Sequence, residues 1–533
     1  MIICFTEAYH ITQETECIMN KLKRRDIIKG LATVPLLGYF GLAFKSNINK
    51  KLSQNSGNSL EPFGMKRLNS PTQKLMPPTG DRTNKLRIGL VGNGWRGEAL
   101  LLSLGFAHPD VILKNTVRGK YNDYFRRTYV DNEDLNVEIT AVCDVFEVHA
   151  ERGVLISQNY IRNSRLQTKT GQAKIYPSYR DLIASGEVDA VIIATADHTH
   201  VPIAIEAAKK GLHIYLEKPM AHSIEDAVLL KNTIKLSDVV FQLGHQNRQQ
   251  MSYKIAGELY HKNVLGDVNM VQTYTNRNTV FGAWIRDDAF DHKLGNKDNI
   301  NWEEFLHDAP WHEFDLKRFF SWQRYSDYGT SLTGNDFTHQ YDAVNQVLNL
   351  GIPDTVVSSG GQYYYKHHGD MPDVFNSVFN YPERGLTLTY NATLKNDVYQ
   401  QSRILGSEAT MDIDRAVVLY RNQDSERYRD IQIDPSDPLY YYAPNADIDA
   451  VSTATSKVYM QGGYGPTYID GRMVDAAFLH LKEWIDAIRG HGSTSCGIDR
   501  GFEEAVTFNL ANLAYVHKKP VKWDRKLETA IIG

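Results

Sequence analysis

The chain is poor in cysteine and has no strong excess of charge of either sign. Its 533 residues include four cysteines with no CxxC pattern, and only Cys143 and Cys496 lie beyond the first twenty residues. This excludes a disulfide framework and a cysteine metal site. A formal net charge of −4 provides no basic field for nucleic acid. His367 and His368 are adjacent rather than spaced as ligands, so we predict no metal site and no nucleic-acid partner.

The chain also lacks a clear transmembrane run near its start. The apolar residues 31–44 are fewer than the roughly 20 that a transmembrane helix needs. They follow KRRDIIK at residues 23–29, a twin-arginine pattern typical of a Tat export signal. No clean A-x-A cleavage site follows, so the segment could remain as a membrane anchor, which would be the only membrane contact. The alternative is a basic tail before an ordinary helix.

These features predict the organisation of the first part of the chain. Met19 is a natural start for the signal, which makes residues 1–18 a candidate for a mis-assigned upstream extension and residues 19–46 the signal itself. Residues 47–84 are rich in Ser, Asn, Pro and Lys and predict a flexible linker. The expected location is the periplasm. With 42% hydrophobic residues, the remaining chain can bury two sizeable cores.

A glycine-rich turn follows a short apolar run at residues 86–97, which read LRIGLVGNGWRG. Gly92, Gly94 and Gly97 have GxGxxG spacing, and residues 98–104 are helix-prone. Gly92 would allow a tight turn, Gly94 would let the backbone approach a pyrophosphate, and Gly97 would let the helix pack on the strand. The alternative is an ordinary strand-to-helix turn. The flanking strand and helix favour a dinucleotide-binding site.

An acidic residue ends the next predicted strand, VEITAVCD at residues 137–144. Asp144 would accept hydrogen bonds from a ribose 2′-hydroxyl and repel a 2′-phosphate, so NAD is favoured over NADP. The interval from the glycines is longer than the usual roughly 20 residues. We interpret residues 108–136 as an insertion after the first helix. A solvated strand-end aspartate is the alternative.

The pattern of strand and helix then repeats. We predict helices over residues 179–185 and 201–210 and strands over 188–194 and 212–216. Such alternation predicts a parallel sheet with ligands beyond the carboxyl ends of its strands. The loop ATADHTH, residues 194–200, and the tripeptide EKP, residues 217–219, lie at such ends and should face the cofactor.

From about residue 85 to the C-terminus the sequence resembles the Gfo/Idh/MocA oxidoreductases. The resemblance rests on VGNGWRG, VCDV, ATADHTHVPIA, YLEKPMA, GHQNR, GTSLTGNDFTHQYD, HLKEWIDAIRG and VKWD. It implies an α/β fold with an N-terminal NAD(P)-binding Rossmann domain, residues 85–245. A C-terminal α+β domain with a large, mostly antiparallel open-faced sheet would follow over residues 246–533. Family members are often dimers or tetramers packed through that sheet, so the resemblance also implies a homo-oligomer.

Sequence patterns agree with this second domain in coarse terms. Stretches rich in Val, Tyr, Thr and Phe predict strands, and amphipathic periodicity predicts two closing helices. The predicted strands are residues 268–275, 355–365, 373–381, 386–393 and 416–420, and the predicted helices are 478–488 and 502–517.

In this family the lysine of EKP and a histidine of the second domain flank the reacting carbon, which carries over to Lys218 and His339. Oxidation of a secondary alcohol needs a base for the hydroxyl proton, and a neighbouring ammonium stabilises the developing alkoxide. A partly buried lysine beside a cationic nicotinamide should have a depressed pKa. The predicted cofactor-binding residues are Gly92, Asn93, Gly94, Trp95, Arg96, Gly97, Asp144, Thr195, Asp197, His198, His200, Glu217, Lys218 and Pro219.

The histidine segment departs from the family pattern at one position. Family members commonly carry Asp four residues before the histidine, whereas this chain has Asn335 there and Asp336 one position later. If the segment is helical, Asn335 and His339 share a face and Asp336 points about 100° away. An amide can bind a sugar hydroxyl but cannot take its proton. We therefore predict that His339 exchanges the substrate proton.

The substrate side is predicted from aromatic content. Tyr and Trp are plentiful over residues 284–328, and aromatic faces with interleaved Arg, Asp and His suit a sugar ring. The alternative, a domain core or a subunit interface, is equally consistent with the pattern. The predicted substrate residues are His245, Arg248, Tyr328, Asn335 and Asp336.

Together these features predict an NAD(P)-dependent oxidoreductase acting on a secondary hydroxyl of a sugar or sugar derivative. A periplasm offers little soluble NAD, so an exported enzyme should keep its nucleotide bound and recycle it internally. An alternative is redox-neutral chemistry on the same scaffold, as an epimerase or an NAD-assisted glycosidase or lyase. NAD-using glycosidases of this kind tend to replace EKP, which this chain retains. Two further alternatives are a non-catalytic sugar- or nucleotide-binding protein and a cytoplasmic dehydrogenase with exchangeable NAD.

Overall fold

The computed structural model describes residues 85–162, 168–169, 171–278, 290–366, 369–431, 434, 437–442, 466–469 and 472–533. The predicted signal and linker, His367 and His368, and the start of the aromatic stretch lie outside the described residues. Within the described residues, no helix is both long enough and apolar enough to cross a bilayer.

The first sheet is parallel throughout and has six strands. In the described residues its strands are β1 (Leu86–Val91), β2 (Val137–Cys143), β3 (Lys174–Ile175), β4 (Ala190–Ile193), β5 (His213–Leu216) and β6 (Phe241–Leu243). Their order in the sheet is β6-β5-β4-β1-β2-β3. The central strand β4 is buried along its whole length, as expected when helices cover both faces of a sheet.

Eight described helices have ten residues or more. They are α1 (Trp95–Leu104), α2 (Glu147–Ser157), α3 (His200–Lys209), α4 (Ile224–Lys235), α5 (Met251–His261), α6 (Thr338–Leu348), α7 (Ala476–Ile488) and α8 (Ile498–His517). Shorter helices are Pro109–Lys114, Asp123–Phe125, Tyr179–Ala184, Trp302–Leu306 and Leu316–Phe320. The predicted strand–helix alternation is confirmed, with bounds shifted by a few residues.

The predicted insertion at residues 108–136 folds on itself. After the helix Pro109–Lys114, strands Thr116–Val117 and Lys120–Tyr121 pair as a small antiparallel ribbon. The side chains of Ile112 and Phe125 are buried in a small apolar cluster that also includes Leu102 of α1 and Ile161. The long interval between the glycine turn and Asp144 therefore contains ordered structure.

The second sheet has ten strands in the described part of the chain. They are β7 (Val268–Asn276), β8 (Thr355–Gly361), β9 (Val374–Tyr381), β10 (Leu386–Thr393), β11 (Ser402–Gly406), β12 (Ala409–Ile413), β13 (Val417–Arg421), β14 (Tyr440–Tyr442), β15 (Val521–Asp524) and β16 (Thr529–Ile532). Their order is β14-β13-β12-β11-β7-β10-β9-β8-β15-β16, and all neighbours are antiparallel except the pair β7 and β10. This confirms a Rossmann sheet combined with a large, mostly antiparallel sheet.

One face of the second sheet is apolar and the other is polar. In β9 the buried side chains alternate with partly exposed ones, so Phe375 and Phe379 point into the core. On the opposite face Asn391 Nδ2 donates to Asn376 Oδ1 at 2.8 Å. The apolar face packs on α8, which contacts β8.

The chain returns to the first sheet after completing most of the second. Trp484 of α7 is fully buried in a cluster with Ile88 and Leu90 of β1, and its ring lies 5.7 Å from that of Tyr215. The short pair of strands Pro466–Ile469 and Arg472–Asp475 precedes α7. Residues late in the sequence thus cover the Rossmann sheet and hold the two sheets in one packed unit.

Candidate active site

The glycine turn between β1 and α1 leaves no room for side chains at two positions. A Cβ on Gly92, where φ is +87°, would lie 2.6 Å from the carbonyl oxygen of Ala194, and one on Gly97 would lie 2.2 Å from that of Gly92. A Cβ on Gly94 would meet nothing within 4 Å. Gly94 is also the N-cap of α1 and offers no side-chain cap. The turn therefore presents an open helix N-terminus, the arrangement that suits a phosphate.

Asp144 lies beside this turn at the end of β2. Its Oδ2 accepts a hydrogen bond of 2.6 Å from the amide of Asn93, and its Oδ1 accepts one of 2.8 Å from the amide of Phe146. Asn93 is fully buried and its Nδ2 donates to the carbonyl oxygen of His149 at 2.7 Å. Asp144 thus holds the glycine turn in place, and its contact with a ribose stays a prediction.

Glu217 joins the glycine turn to the end of β5. Its Oε1 accepts hydrogen bonds from Nε of Arg96 at 2.7 Å and from Nε2 of Gln246 at 2.9 Å. Arg96 is in the first turn of α1, so this buried ion pair fixes the helix start relative to Lys218. Trp95, next to Arg96, is 43% exposed and remains accessible at the mouth of the turn.

The loop after β4 contacts the EKP segment through His200. The His200 ring nitrogens lie 2.8 Å from the carbonyl oxygen of Pro219 and 3.2 Å from that of Thr195. Asp197 is buried and accepts a hydrogen bond of 2.6 Å from Oγ1 of Thr330. Burial raises the pKa of Asp197. The structure therefore brings the two predicted loops together at the carboxyl edge of the sheet.

His198 occupies an interior position that the sequence did not predict. Its ring lies 5.7 Å from Phe305 and 5.3 Å from Tyr328, and its Nε2 is 2.8 Å from the carbonyl oxygen of Phe305. Burial lowers its pKa to about 4. The side chain of His198 packs into an aromatic cluster, and its contact with the cofactor stays a prediction.

Lys218 reaches across to the second sheet's helical layer. Its Nζ donates a hydrogen bond of 2.8 Å to the main-chain carbonyl oxygen of Asn335. Burial lowers the pKa of Lys218, although Asp197, Glu217 and Asp336 oppose that shift. A lysine with a lowered pKa can exchange a proton nearer to neutral pH than a solvated one.

His339 shares this charged environment. Burial lowers its pKa well below the usual value, and the positive charges of Lys218 and His245 lower it further. The His245 and His339 rings meet edge to face with centroids 5.6 Å apart. The structure therefore brings the two predicted catalytic side chains close enough to interact electrostatically and keeps His339 uncharged.

The segment before His339 is not a regular α-helix. Residues Thr333–Phe337 form a π-helical turn, and α6 begins only at Thr338. A π turn bonds residues five apart rather than four, but residues four apart stay close to one face in either helix type, so the common face of Asn335 and His339 stays a prediction. Asp336 is buried, and its Oδ1 accepts a hydrogen bond of 2.8 Å from Arg277. The carboxylate of Asp336, which lies one position after the family's usual aspartate, is therefore paired with Arg277 and is not solvated.

The predicted substrate residues Tyr328, Arg248 and His245 are interior. Tyr328 is fully buried in an aromatic cluster with Phe146 and Phe305. Arg248 donates through Nε to Oδ1 of Asp342 at 2.7 Å and through its terminal nitrogen to the carbonyl oxygen of Ser495 at 2.5 Å. Both side chains are buried against other parts of the protein, and their contact with a substrate stays a prediction. His245 is also fully buried, behind His339.

A pocket opens beside Asn335, spanning about 350 Å³ that includes open space toward solvent. The Ser331 hydroxyl is buried there without a hydrogen-bond partner among the described residues, on a backbone with φ of +67°. Burial lowers the pKa of Arg324 in this pocket to about 10. Sequence reasoning missed Ser331, although it lies in the quoted GTSLTGND segment. The lining residues are Gln323, Arg324, Ser331, Leu332, Asn335, Met371, Pro372, Asp373 and Leu394.

Part of the chain is similar in sequence to known proteins. The family model GFO_IDH_MocA, described as oxidoreductase family, NAD-binding Rossmann fold, matches residues 121–245. An uncharacterized oxidoreductase of Streptococcus pneumoniae is 29% identical over 204 residues, which cover 38% of this chain and 46% of that protein. A glycosyl hydrolase family 109 protein of Shewanella amazonensis is 26% identical over 272 residues, covering 51% of this chain and 46% of that protein. The chain thus spans about half the length of these curated relatives.

The solved structures that match extend over more of the chain. A levoglucosan dehydrogenase in complex with NADH and levoglucosan aligns with 82% of this chain and 99% of its own, with a TM-score of 0.54 and 14% identity. This likeness is one of fold. The sheet order and the glycine turn define a Rossmann-type nucleotide-binding protein. Residues 121–245 match the model of the Gfo/Idh/MocA oxidoreductases, the family that the sequence motifs resemble.

Proposed function

We propose that the protein is an NAD-dependent oxidoreductase that acts on a secondary hydroxyl of a sugar or sugar derivative. The observation that carries this proposal is the pairing of Lys218 with His339 at the carboxyl edge of the Rossmann sheet. Both side chains have lowered pKa values because of burial. Two such groups in one site are the acid–base equipment that alcohol oxidation requires.

The chain's own residues fit a dinucleotide. The open space at Gly94 and the uncapped start of α1 suit the pyrophosphate, and Asp144 suits a ribose hydroxyl. Thr195 and Pro219 belong to the two neighbouring loops that would flank the nicotinamide. When bound, NAD supplies the carbon that accepts a hydride. A carboxylate at Asp144 favours NAD, and NADP is the less favoured alternative.

Oxidation of a secondary alcohol removes a hydride from its carbon and a proton from its hydroxyl group. NAD held by the glycine turn and Asp144 would take up the hydride from the carbinol carbon. The neutral imidazole of His339 would accept the hydroxyl proton, which leaves a ketone and a protonated His339. Lys218 stabilises the developing oxyanion, since its Nζ uses one hydrogen for Asn335 and keeps the others for the substrate oxygen.

The residues that line the pocket beside Asn335 offer contacts to the remainder of the sugar. The Ser331 hydroxyl and Asn335 amide offer hydrogen bonds, whereas Leu332 and Met371 supply apolar surface. A sugar ring has polar edges and apolar faces, so such a mixed lining complements it. Of the two remaining predicted contacts, Asn335 keeps its proposed substrate role and Asp336 acts through its ion pair with Arg277.

The test of this function begins with the nucleotide. Purified protein should release NAD or NADH on denaturation, detected by absorbance and mass spectrometry, or bind added NADH with an increase in nicotinamide fluorescence. A sugar panel including levoglucosan should then reveal reduction of NAD at 340 nm. Protein that neither carries nor binds either nucleotide form would contradict the proposal.

A second candidate is redox-neutral cleavage or epimerisation on the same scaffold. The similarity to a glycosyl hydrolase family 109 protein favours it, whereas retention of Lys218 in an EKP motif favours oxidation. Incubation with p-nitrophenyl glycosides separates the two. Release of p-nitrophenol without net NADH would support cleavage, and NADH formation would support oxidation. Nucleotide or sugar binding without any turnover would instead support the non-catalytic alternative.

We further propose that the protein is exported by the twin-arginine route and retains its nucleotide, recycling it within each catalytic cycle. The support is the KRRDIIK pattern and the apolar run after it. Cell fractionation of the native host tests this, since recovery in the cytoplasm would contradict export. We also propose a homo-oligomer packed through the polar sheet face around Asn376 and Asn391, which light scattering of purified protein would test.

A further inference from the structure

His245 lies behind His339, in a cluster of buried charges. It follows strand β6, and its side chain is fully buried. Its Nε2 contacts Oε2 of Glu504, which is on α8 and is itself buried, and its Nδ1 lies 3.9 Å from Oδ2 of Asp342. An imidazole is thus enclosed between two carboxylates that are separated from solvent.

The cluster also contains the guanidinium of Arg248, whose positive charge offsets one of the negative charges. Arg248 lies 2.6 Å from Oδ1 of Asp342. One guanidinium therefore neutralises one carboxylate, and Glu504 needs a second cation. The ligand atoms of His245, Asp342 and Glu504 all lie within 4.8 Å of one another. A metal ion among them would be repelled by the guanidinium of Arg248, which lies beside Asp342.

These neighbours favour the charged form of His245. Burial opposes the charge, but Glu504 and Asp342 outweigh it and raise the pKa of His245. A buried carboxylate left without a cation would be strongly unfavourable. Burial also raises the pKa of Glu504, so a proton is held at the contact between Nε2 of His245 and Oε2 of Glu504.

Charges from several elements also face His339. Lys218 follows β5, Arg277 follows β7 and Arg96 is in α1, and all three act with His245 to disfavour protonation of His339. Asp336, which precedes His339 in the chain, is held by Arg277. His245 differs from the other cations because its ring contacts the ring of His339 edge to face, with an angle of 85° between the two ring planes.

We propose that His245 is a positioning residue which, held as a cation by Glu504 and Asp342, keeps His339 uncharged and oriented to accept the substrate proton. The inference rests on the proposed function for its catalytic meaning. Its electrostatic content is independent of turnover, because it concerns the protonation of His339 in the resting protein.

The proposal predicts what happens when the cation is removed. In His245→Asn the carboxylates remain and the repulsion disappears, so the pKa of His339 should rise by about one unit or more. In Glu504→Gln the imidazole loses its partner and becomes neutral, and the pKa of His339 should rise by a smaller amount. If turnover is measured, the acid limb of the kcat profile should move to higher pH in both variants.

The experiment is a histidine titration by NMR on the full chain with labelled imidazoles, the His339 signal being assigned by its loss in His339→Asn. The matched control is Glu503→Gln, one residue away on α8, because Glu503 contacts Arg500 and Asn345 instead. The control should leave the His339 titration unchanged. Because His245→Asn leaves two buried carboxylates and could fail to fold, Glu504→Gln provides the second test.

The outcomes separate the two proposals. A rise in the pKa of His339 in either variant but not in the control supports the positioning role, even if no sugar is turned over. An unchanged His339 titration in a folded variant overturns it, even if NADH forms normally. Absence of nucleotide binding with the predicted His339 shift would contradict the proposed function alone.

Discussion

The ammonium of Lys218 donates its hydrogen bond to the main-chain oxygen of Asn335 and not to a carboxylate. A carbonyl oxygen orients the lysine without adding a full negative charge. Burial can therefore lower the pKa of Lys218 while its position stays fixed. The carboxylates that surround the site act at longer range or, like Asp336, have a partner of their own.

Replacement of Lys218 by Met should remove the stabilisation of the oxyanion while retaining most of the side-chain volume. We expect turnover to fall by roughly 10²–10⁴-fold, the usual contribution of such a group. Nucleotide affinity, measured by NADH fluorescence, should change little. The exposed Lys210→Met at the end of α3 is the control. An equal loss of activity in both variants would argue for a general effect of charge.

Replacement of His339 by Ala should remove the acceptor of the hydroxyl proton. Turnover should decrease by roughly 10²–10⁴-fold, and the remaining rate should lose its acid limb. Steady-state kinetics between pH 5 and 9 would show both effects. Near-wild-type turnover would remove His339 from the mechanism.

Asn335→Asp places a carboxylate in the family's usual position, on the residue whose main-chain oxygen accepts the hydrogen bond from Lys218. The added charge should raise the pKa of Lys218 by about one unit, so the alkaline limb of the kcat profile should move upward. Asn376→Asp, on the polar face of the second sheet, should leave the profile unchanged. An identical profile in both variants would mean that the side chain of residue 335 does not act on Lys218.

The glycine turn allows binding to be separated from folding. In Gly94→Ala the new Cβ meets no protein atom within 4 Å, so stability should fall by less than about 1 kcal/mol while nucleotide affinity is lost. In Gly97→Ala the Cβ would lie 2.2 Å from a backbone oxygen, and overpacking should cost about 1–3 kcal/mol. Urea unfolding and NADH titration measure the two effects. Full nucleotide affinity in Gly94→Ala would place the pyrophosphate elsewhere.

His198 predicts a loss of stability in acid. Its pKa is lowered to about 4 in the folded protein, whereas an unfolded histidine titrates near 6.5. The unfolded chain therefore binds more protons between these values, and stability falls as the pH decreases from about 6.5 to about 4. In His198→Phe the slope of unfolding free energy against pH should be smaller over this window. An equal slope in the variant would assign the acid sensitivity to other groups.

Local sequence patterns determined the parallel sheet, the glycine turn and the placement of Lys218 at a strand end. These features depend on apolar periodicity, glycine geometry and the short range of strand–helix connections, all of which are written in contiguous residues. The short strands β11 and β12 and the helix α5 were not predicted, since their type depends on packing against distant elements.

The sequence alone determined which chemistry is available: a lysine, a histidine and an open helix start along one sheet edge. Only the tertiary structure decided which polar residues face the site. His198, Arg248 and Tyr328 lie in the interior because partners distant in sequence satisfy or enclose them. The π turn before His339 and the carboxylates around His245 likewise arise from contacts between separate elements, and burial at those contacts is what sets the protonation of the site.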